Sequence, residues 1–470
     1  MLRGVYVTSS SGLEGPASWT KANRSIENTD IVGWYTLGFH HVVRLEDWPI
    51  HAHAVARLFD SAGQLLRQEP GADPATSALM WPAFVHVCRG AYAHVVANRE
   101  MRMEENKTQE PRWISGIEPS KGLLAASGTE ILEIECREQP ARLRDLIRTY
   151  GRDPIVRSQL EVLRDLATKK AGPVLFIGLG ASFCSSISGS ILLQSKGRPS
   201  FSVDAGEWLH YAPRVWDEAA ISVLLTTSGE SAELVELVKA SGNRPLGLIC
   251  NNPASTCWRL VQNRLPVLAG PEYGNATKTY TNATAASIIL ASEILGRPWQ
   301  EDAERAMEVF STSLDPIFSL RGEVERFCRG AANIEIIGRG AAYGGAIMSA
   351  LCIREMSGHR AAAHTGAGFR HGPSLDVDAS HVAIIFALGR VAELGVKLAQ
   401  ECNRRGGRVV LISTEDQDAT EKLFPVKIEE VPEPWEAITS LLVPQALTLG
   451  MVERNGCRLP PRFQYGVMEQ

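Results

Sequence analysis

The sequence predicts an α/β protein with two doubly wound parallel sheets, each covered by helices on both faces. Short apolar runs of strand length alternate with helical stretches from residue 171 onward. This alternation is typical of right-handed βαβ units and parallel sheets. Two of the runs end in matching Gly-x-Gly turns, at 178–180 and 338–340. The matching turns predict an internal duplication of about 160 residues.

Each copy contains three apolar runs that we expect to be strands. The first copy, predicted over 171–298, contains PVLFIGLG (173–180), AISVLLTTSGES (220–231) and PLGLICNN (245–252). The second copy, predicted over 331–455, contains IEIIGRG (334–340), HVAIIFALG (381–389) and RVVLIST (408–414). Runs that are apolar throughout are typical of strands buried on both faces of a sheet.

The remaining segments differ from these two domains in the pattern of their apolar residues. Residues 126–170 carry apolar side chains at helical spacing and are predicted to form lead-in helices. Residues 299–330 are predicted to be connecting helices, and 456–470 are a C-terminal tail. Residues 1–125 show no sustained period and are predicted to be an irregular extension.

Composition argues against several classes of protein. The net charge of −5 over 470 residues, without a basic stripe, favours neither a nucleic-acid nor a membrane partner. No stretch of 18 apolar residues is present, and the first residues lack the apolar run of a signal peptide. The nine cysteines are scattered without a CxxC pair, which suits reduced thiols and argues against a zinc ribbon. We therefore expect a cytoplasmic protein with no metal and no cofactor.

The loop TTSGES (226–231) is the strongest candidate for a ligand site. It lies between a predicted strand and a predicted helix and offers hydroxyls, a flexible glycine and helix N-terminal N–H groups, all of which suit a phosphate. Ser182 follows the Gly-x-Gly turn of the preceding strand, and ligands bind at the carboxyl ends of strands in open α/β sheets. The alternative is that these Ser and Thr residues are helix N-caps. GLGASF lacks the third glycine of a dinucleotide fingerprint.

Several segments in order resemble the isomerase half of glucosamine-6-phosphate synthase and its SIS (sugar isomerase) relatives, which include isomerases, deaminases and deglycases of aminosugar phosphates. The resembling segments are GLGAS (178–182), LLTTSGES (224–231), ICNNPAS (249–255), AGPEYGNATKTYT (269–281), IGRGAAYGGAIMSALCIREMS (337–357) and GFRHGP (368–373). The resemblance covers most of 172–470. It implies two flavodoxin-like SIS domains of α/β/α layers that bind a phosphorylated sugar or aminosugar.

The resemblance also implies roles for particular residues. The positions that match the family's phosphate and sugar contacts are Ser182, Thr226, Thr227, Ser228 and Ser231. The positions in the next substrate-lining stretch, where this chain has one residue fewer than the synthase, are Glu272, Thr277 and Lys278.

Glu355 and His371 match the catalytic pair of the family. Glu355 falls on the base that moves a proton between C1 and C2, and His371 falls on the ring-opening histidine, which the family supplies from the neighbouring subunit. The resemblance therefore implies a homodimer. Both residue types suit this chemistry near neutral pH. Without the resemblance, Glu355 would be interpreted as a helix-surface carboxylate paired with a basic neighbour and His371 as a turn residue.

Four departures argue against synthase activity. Leu2 follows Met1 where the synthase has a nucleophilic cysteine, so we expect no glutaminase activity. Tyr465 falls where the family has its Schiff-base lysine, Cys352 where it has a helix lysine, and Gly368 where many relatives have glutamate. Aldose–ketose isomerisation, or loss of an amine from an aminosugar phosphate, remains possible with the base and the ring opener alone. The alternative is a non-catalytic SIS protein that binds a sugar phosphate.

Residues 26–49 resemble a short piece near the C-terminus of copper amine oxidases, with His41 at one copper-ligand position. The preceding HxH strand that supplies the other ligands is absent, and so is the Asn-Tyr-Asp/Glu motif that yields the quinone cofactor. His51 and His53 come after the matching piece. One histidine is not a copper site. We interpret the segment as a fused fragment or gene-model artefact without oxidase activity; oxidase function is the third and weakest hypothesis.

Overall fold

The computed structural model describes residues 31–36, 39–44, 127–212 and 215–458. The chain divides into two units, Met1–Glu110 and Pro111–Gln470. In the first unit, strands β1 (Ile31–Thr36) and β2 (Phe39–Arg44) pair antiparallel, with Trp34 opposite His41. The side chain of His41, the rest of the predicted extension and Tyr465 lie outside the described residues.

The second unit begins with two helices, α1 (Gly128–Arg152) and α2 (Pro154–Lys169). Ser127 and Glu130 form a capping box at the start of α1, which satisfies two backbone donors reciprocally. Asp153 ends α1 and caps α2, because its carboxylate accepts from the N–H groups of Ile155 (2.9 Å) and Val156 (3.0 Å). Pro154 opens α2 at a position where its missing N–H costs nothing.

The first sheet contains five strands, all parallel: β3 (Val174–Gly178), β4 (Ser200–Asp204), β5 (Ile221–Thr226), β6 (Leu246–Cys250) and β7 (Arg264–Pro266). Their spatial order is β4-β3-β5-β6-β7. Numbered within the sheet this is 2-1-3-4-5, the flavodoxin-like order. Strands β3, β5 and β6 are buried throughout, which explains why they read as continuous apolar runs.

The helices of this first lobe are α3 (Ala181–Ser195), α4 (Ala205–Tyr211), α5 (Ala232–Ala240), α6 (Thr256–Leu260) and α7 (Lys278–Ile294). A 3-10 turn spans Val215–Glu218. Helices α8 (Gln300–Ser319) and α9 (Arg321–Cys328) then lead to the second lobe.

The second sheet repeats the strand order of the first. Its parallel strands are β8 (Asn333–Gly338), β9 (Ala361–Thr365), β10 (His381–Ala387), β11 (Arg408–Ser413) and β12 (Leu423–Lys427), in the order β12-β11-β10-β8-β9. Its helices are α10 (Ala342–Ser357), α11 (Gly366–Arg370), α12 (Ala392–Arg404), α13 (Glu436–Thr439) and α14 (Leu442–Asn455). The predicted fold class of two doubly wound parallel sheets is confirmed.

Small residues allow three helices to pack closely between the two sheets. A Cβ on Gly189 of α3 would lie 2.6 Å from the carbonyl oxygen of Ser287 in α7. A Cβ on Gly344 of α10 would lie 2.5 Å from the carbonyl oxygen of Cys184 in α3. One hydrophobic cluster contains residues of both sheets, including Phe176 and Ile384. The two lobes therefore share a core, and α10 of the second lobe reaches the first.

Candidate functional site

The predicted phosphate loop follows β5 and begins at its last residue, Thr226, which is 5% exposed. The Oγ1 atom of Thr226 accepts a hydrogen bond from the N–H of Gly229 at 3.0 Å, and the Oγ of Ser228 accepts from the N–H of Glu230 at 3.2 Å. Gly229 has φ +66°, and a Cβ there would lie 2.1 Å from the Oγ of Ser255. Glycine is therefore required for the loop to turn this tightly.

Three hydroxyls of the predicted site have no partner in the part of the chain that the structure describes. Ser231 is the N-cap of α5, but its side chain makes no capping hydrogen bond. The hydroxyls of Thr227 and Ser182 also make no hydrogen bond to any described residue, and all three residues are partly exposed. Ser231 thus occupies the N-cap position without a side-chain capping bond, so its hydroxyl stays available to a ligand.

Ser182 and Thr226 emerge at the same edge of the first sheet. β3 and β5 are adjacent parallel strands, with Ile177 opposite Leu224. Ser182 lies in the first turn of α3, directly after the turn that follows β3. A Cβ on Gly178 would lie 2.7 Å from the backbone of Ser182, so this glycine lets α3 start close to the strand. The carboxyl edge of neighbouring strands is where open α/β sheets bind ligands.

Asn251 connects the phosphate loop to the segment after β7. Its N–H donates to the carbonyl oxygen of Thr226 at 3.3 Å. Its side-chain amide donates to the carbonyl oxygen of Gly270 at 2.9 Å and accepts from the N–H of Ala269 at 3.0 Å. Sequence reasoning did not single out Asn251, although it lies in the ICNNPAS motif.

Glu272 organises the start of α7. Its carboxylate accepts from both the N–H and the hydroxyl of Thr277 at 3.0 Å, and from the N–H of Thr279 at 3.2 Å as well as its hydroxyl. Burial raises the pKa of Glu272, and the hydrogen bond from the Thr279 hydroxyl opposes this rise. The predicted substrate-lining residues Glu272 and Thr277 thus contact each other and fix the loop.

Lys278 is held among carboxylates. It is 2% exposed, and its Nζ contacts the carboxylate of Glu138 on α1, whose side chain is also largely buried. The positive charge of Lys278 lowers the pKa values of Glu135 and Glu272, although burial outweighs it in both. Lys278 and these carboxylates stabilise the fold only while all of them are present, because removing one partner leaves a buried charge without compensation.

Glu135 is a functional-site neighbour that sequence reasoning missed. It lies fully buried on α1, and its carboxylate accepts from the N–H groups of Tyr273 (2.5 Å) and Gly274 (3.1 Å). Burial and then the charge of Glu272 raise the pKa of Glu135 to about 8. The one sequence signal was a glutamate between the apolar positions Leu132 and Cys136 of an amphipathic helix.

Glu355 of α10 reaches the same segment from the second lobe. The side-chain amide of Asn275 donates to a carboxylate oxygen of Glu355. Asn275 is fully buried, and its Oδ1 has no hydrogen-bond partner among the described residues. Burial raises the pKa of Cys184 in α3 to about 12, and the charge of Glu355 adds to this rise. The structure therefore brings Glu355 next to the loop after β7 and within electrostatic reach of the start of α3.

His371 occupies a different place. It is exposed at the C-terminal end of α11, and its N–H donates to the carbonyl oxygen of Gly368 at 3.1 Å. Its imidazole makes no hydrogen bond, ion pair or ring contact with a described residue, whereas the adjacent Arg370 pairs with Glu401 through two bonds of 3.0 and 3.2 Å. The described residues contain no contact between His371 and Glu355, so the shared catalytic role stays a prediction.

The structure shows the surroundings of two of the departures noted in the sequence, Cys352 and Gly368. Cys352 is 4% exposed, and burial raises its pKa to about 12, so this position is apolar and uncharged. A Cβ on Gly368 would lie 3.0 Å from Thr365 Oγ1, which accepts from the N–H of Gly368 and caps α11. A side chain there would require this cap to shift.

Over 127–212 and 215–458, no group of three or more His, Cys, Asp and Glu side chains is placed to hold a metal ion. Two of the cavities in the described residues have volumes of about 440 Å³ each, and neither is lined by a predicted site residue. No described helix is long and apolar enough to cross a bilayer.

Comparison with known families supports the second lobe most directly. Residues 329–452 match the family model of the SIS domain. Residues 2–73 match the model of the copper amine oxidase enzyme domain, which includes the predicted fragment 26–49. Both resemblances seen in the sequence are confirmed, and the side chain of His41, at the one matching copper-ligand position, lies outside the described residues.

Curated relatives agree with this assignment. The chain is 26% identical over 328 residues to the isomerizing glutamine–fructose-6-phosphate aminotransferase of Zymomonas mobilis, covering 67% of this chain and 53% of the relative. It is 27% identical over 338 residues to the enzyme of the same name from Shouchella clausii, covering 69% and 55%. The chain thus spans about half the length of the curated relatives it matches.

Solved structures share the fold. The C-terminal domain of glucosamine-fructose-6-phosphate aminotransferase from Francisella tularensis matches with a TM-score of 0.62 at 19% identity, covering 70% of this chain and 97% of that one. Tagatose-6-phosphate ketose/aldose isomerase from Escherichia coli matches with a TM-score of 0.55 at 20% identity, covering 71% and 94%. At these identities the likeness shows the fold alone.

Proposed function

We propose that this protein binds a phosphorylated sugar or aminosugar and catalyses its aldose–ketose isomerisation, or its deamination or deglycation. The connection from Thr226 through Asn251 to the loop after β7, and from Asn275 of that loop to Glu355, carries the proposal. It joins a hydroxyl-rich loop at one sheet edge to a carboxylate on a helix of the other lobe. Phosphate binding and proton transfer thereby fall within one continuous set of residues.

The phosphate would be held at the start of α5. The free hydroxyls of Ser182, Thr227 and Ser231 would donate to its oxygens, and the first N–H groups of α5 would add the helix dipole. Glu272, Thr277 and Lys278 would act by holding the loop after β7 in shape, because their hydrogen bonds and ion pairs are already formed within the protein.

Glu355 would be the base. Once the sugar ring is open, its carboxylate takes the proton from C2 of the aldose and returns it to C1, so that the enediol collapses to the ketose with no net change in protons. On a 2-amino sugar the same shift leaves an imine at C2, which water hydrolyses to the ketose and ammonia. Neither route uses a Schiff-base lysine or glutamine-derived ammonia.

His371 would open the ring of the sugar bound to the neighbouring subunit. Opening requires a proton to be given to the ring oxygen and one to be taken from the C1 hydroxyl, and an imidazole can do both near neutral pH. The exposure of His371 and its lack of a described partner suit a role across a subunit interface. The homodimer and the cytoplasmic location stay predictions.

The test is turnover of the purified protein with fructose 6-phosphate, glucosamine 6-phosphate and fructosamine 6-phosphates. We expect one of these to be converted and Glu355→Gln to lower kcat by roughly 10²–10⁴-fold, the usual contribution of a general base. Glu393→Gln on α12 is the matched control, because that side chain is 90% exposed and pairs only with Lys397 at 3.7 Å. Equal loss in both variants would contradict the role of Glu355.

A non-catalytic sugar-phosphate-binding protein is the second candidate. The observation that favours it is Cys352, a buried thiol with a raised pKa in place of the family's helix lysine. Binding of a sugar phosphate by calorimetry, without turnover of any of the three substrates and without an effect of Glu355→Gln on binding, would decide for this candidate.

A further inference from the structure

A basic cavity lies at the opposite edge of the second lobe from the edge where its strands end. It has a volume of about 440 Å³ and is lined by Asn333, Glu335, Arg354, Gly358, His359, Arg360, Ala361, Ala362 and Arg458. Asn333 is the first residue of β8 and Ala361 the first of β9, so the cavity lies where these two strands begin. Open α/β sheets bind their principal ligands at the carboxyl edge, so this cavity is separate from the candidate site.

Positive charge dominates the lining. Arg354, Arg360 and Arg458 contribute three guanidinium groups, and over 127–212 and 215–458 none of them makes a side-chain hydrogen bond or ion pair. The one carboxylate of the lining, Glu335, has an oxygen 2.8 Å from the Nε2 of His364. The chain has a net charge of −5, so its composition alone does not lead us to expect three arginines without a carboxylate partner in one cavity.

The backbone fixes the three arginines at the rim. Arg354 is in the last turn of α10, and Gly358 ends that helix in the left-handed region with φ +74°. The chain then turns to Arg360, which directly precedes β9. The N–H of Arg458 donates to the carbonyl oxygen of Met356 at 2.7 Å, and its side chain crosses Gly358, where a Cβ would lie 3.2 Å from its Cδ and Nη1.

Unpaired guanidinium groups that converge on a concave surface repel one another and are stabilised by an anion. Guanidinium binds phosphate oxygens with two parallel hydrogen bonds, and no described carbonyl or carboxylate takes that place here. The volume falls within the range of about 300–1,000 Å³ that small-molecule pockets occupy. Glu335 and Asn333 lie in the same lining and suit the hydroxyl groups of an attached organic part.

We propose that this basic cavity binds a phosphorylated small molecule through its phosphate group. The site is independent of the proposed reaction, since none of its residues belongs to the hydroxyl loop. Arg354 precedes Glu355 on α10, so a bound anion would lie against the helix that carries the proposed base.

Calorimetry with the full chain tests this proposal. Because inorganic phosphate would also bind the hydroxyl loop, the titration uses as background the Ser182→Ala/Thr227→Val/Ser231→Ala protein, which lacks the three hydroxyls proposed to hold phosphate there. We expect this protein still to bind phosphate, and Arg354→Ser/Arg360→Ser in the same background to weaken binding at least about tenfold, as loss of charge-assisted hydrogen bonds should. Arg152→Ser, an exposed arginine at the end of α1, is the matched control and should change nothing.

Thermal melting provides a second readout and reports folding. Each variant should keep the melting temperature of the background protein without phosphate, and the arginine variants should lose the increase that phosphate produces. Arg458→Ser alone should lower that increase. Unchanged phosphate affinity in Arg354→Ser/Arg360→Ser, or a folded background protein that binds no phosphate, would overturn the proposal.

Comparison of probes identifies the class of ligand. Inorganic phosphate, fructose 6-phosphate and adenosine monophosphate are titrated in parallel into the background protein. Tighter binding of either organic phosphate supports a phosphorylated metabolite. Equal affinity for all three, again lost in Arg354→Ser/Arg360→Ser, supports phosphate itself as the ligand and contradicts recognition of an organic part.

Discussion

The two lobes have the same strand order but different loops at the carboxyl edges of their sheets. In both, the first glycine of the Gly-x-Gly turn brings the next helix close: a Cβ on Gly178 would lie 2.7 Å from Ser182, and one on Gly338 would lie 2.6 Å from Ala342. The second residue after the turn is Ser182 in the first lobe and Ala342 in the second. The same backbone geometry therefore carries a hydroxyl at this position in the first lobe and a methyl group in the second.

The loops after β5 and β10 differ in whether their polar side chains are already bonded within the protein. The first offers hydroxyls without described partners, at Thr227 and Ser231. The second is closed, because Arg390 donates from its N–H and its Nε to Glu433, both at 2.6 Å. A fold that occurs twice thus has one edge available for an anion and one edge occupied by an internal ion pair. The four predictions below test this contrast, beginning with the largest expected effect.

Lys278→Met should destabilise the protein most. It would leave Glu138 and its neighbours Glu135 and Glu272 without their cation, and breaking a buried pair in this way costs roughly 3–5 kcal/mol. The free energy of unfolding in urea measures it. The control in the second lobe is Lys427→Met, whose pair with Asp416 is exposed, so we expect a change below about 1 kcal/mol. Equal losses of unfolding free energy in the two variants would contradict a larger stabilising role for Lys278 than for Lys427.

Gly229→Ala should cost more than Gly389→Ala. Both glycines have positive φ, +66° and +63°, which costs an L-residue roughly 1–2 kcal/mol. A Cβ at 229 would also lie 2.5 Å from the Cβ of Ser255, which caps α6, whereas at 389 it meets the movable carboxylate of Glu433. Urea unfolding of both variants gives the difference, and a larger loss at 389 would be inconsistent with the crowding seen at 229.

Ser182→Ala/Ser231→Ala should weaken sugar-phosphate binding about tenfold, or ~1.4 kcal/mol, without changing stability. Neither hydroxyl has a described partner, so their removal should affect only a ligand. Calorimetry with fructose 6-phosphate measures the dissociation constant. Arg390→Ala in the corresponding loop of the second lobe should leave that constant unchanged. An effect of similar size from Arg390→Ala would refute the assignment of binding to the first lobe.

Two buried carboxyl groups, Glu135 and Glu436, should contribute to the pH dependence of stability. Burial raises the pKa of both groups to about 8. Because the folded state holds these protons more tightly than the unfolded chain, their favourable contribution is complete below about pH 4.5 and is lost as pH rises toward 8. Glu135→Gln and Glu436→Gln should each flatten the fall in melting temperature between pH 5 and 8. A fall that is unchanged in both variants would exclude these groups as its cause.

Much of the fold could be predicted from the sequence because its signals are local. Strands buried on both faces must be apolar throughout, so VLFIG and ISVLLT stand out without any knowledge of their partners. The hydroxyl loop could be placed for the same reason, since it directly follows one such run. Glu135 could not be found in this way: its partners, Tyr273 and Gly274, lie 138 and 139 residues further along the chain.

The sequence by itself determined the two parallel sheets and the position of the hydroxyl loop at the end of β5, because these depend on residue type and short-range order. Its resemblance to the SIS family, and not local order, made Glu355 the candidate base. Only the tertiary structure decided that Glu355 reaches the first lobe through Asn275, 80 residues away. Gly344 also lets α10, the helix that carries Glu355, approach α3 closely. The basic cavity arose in the same way, since Arg354, Arg360 and Arg458 converge only after α14 has returned the chain to the end of α10.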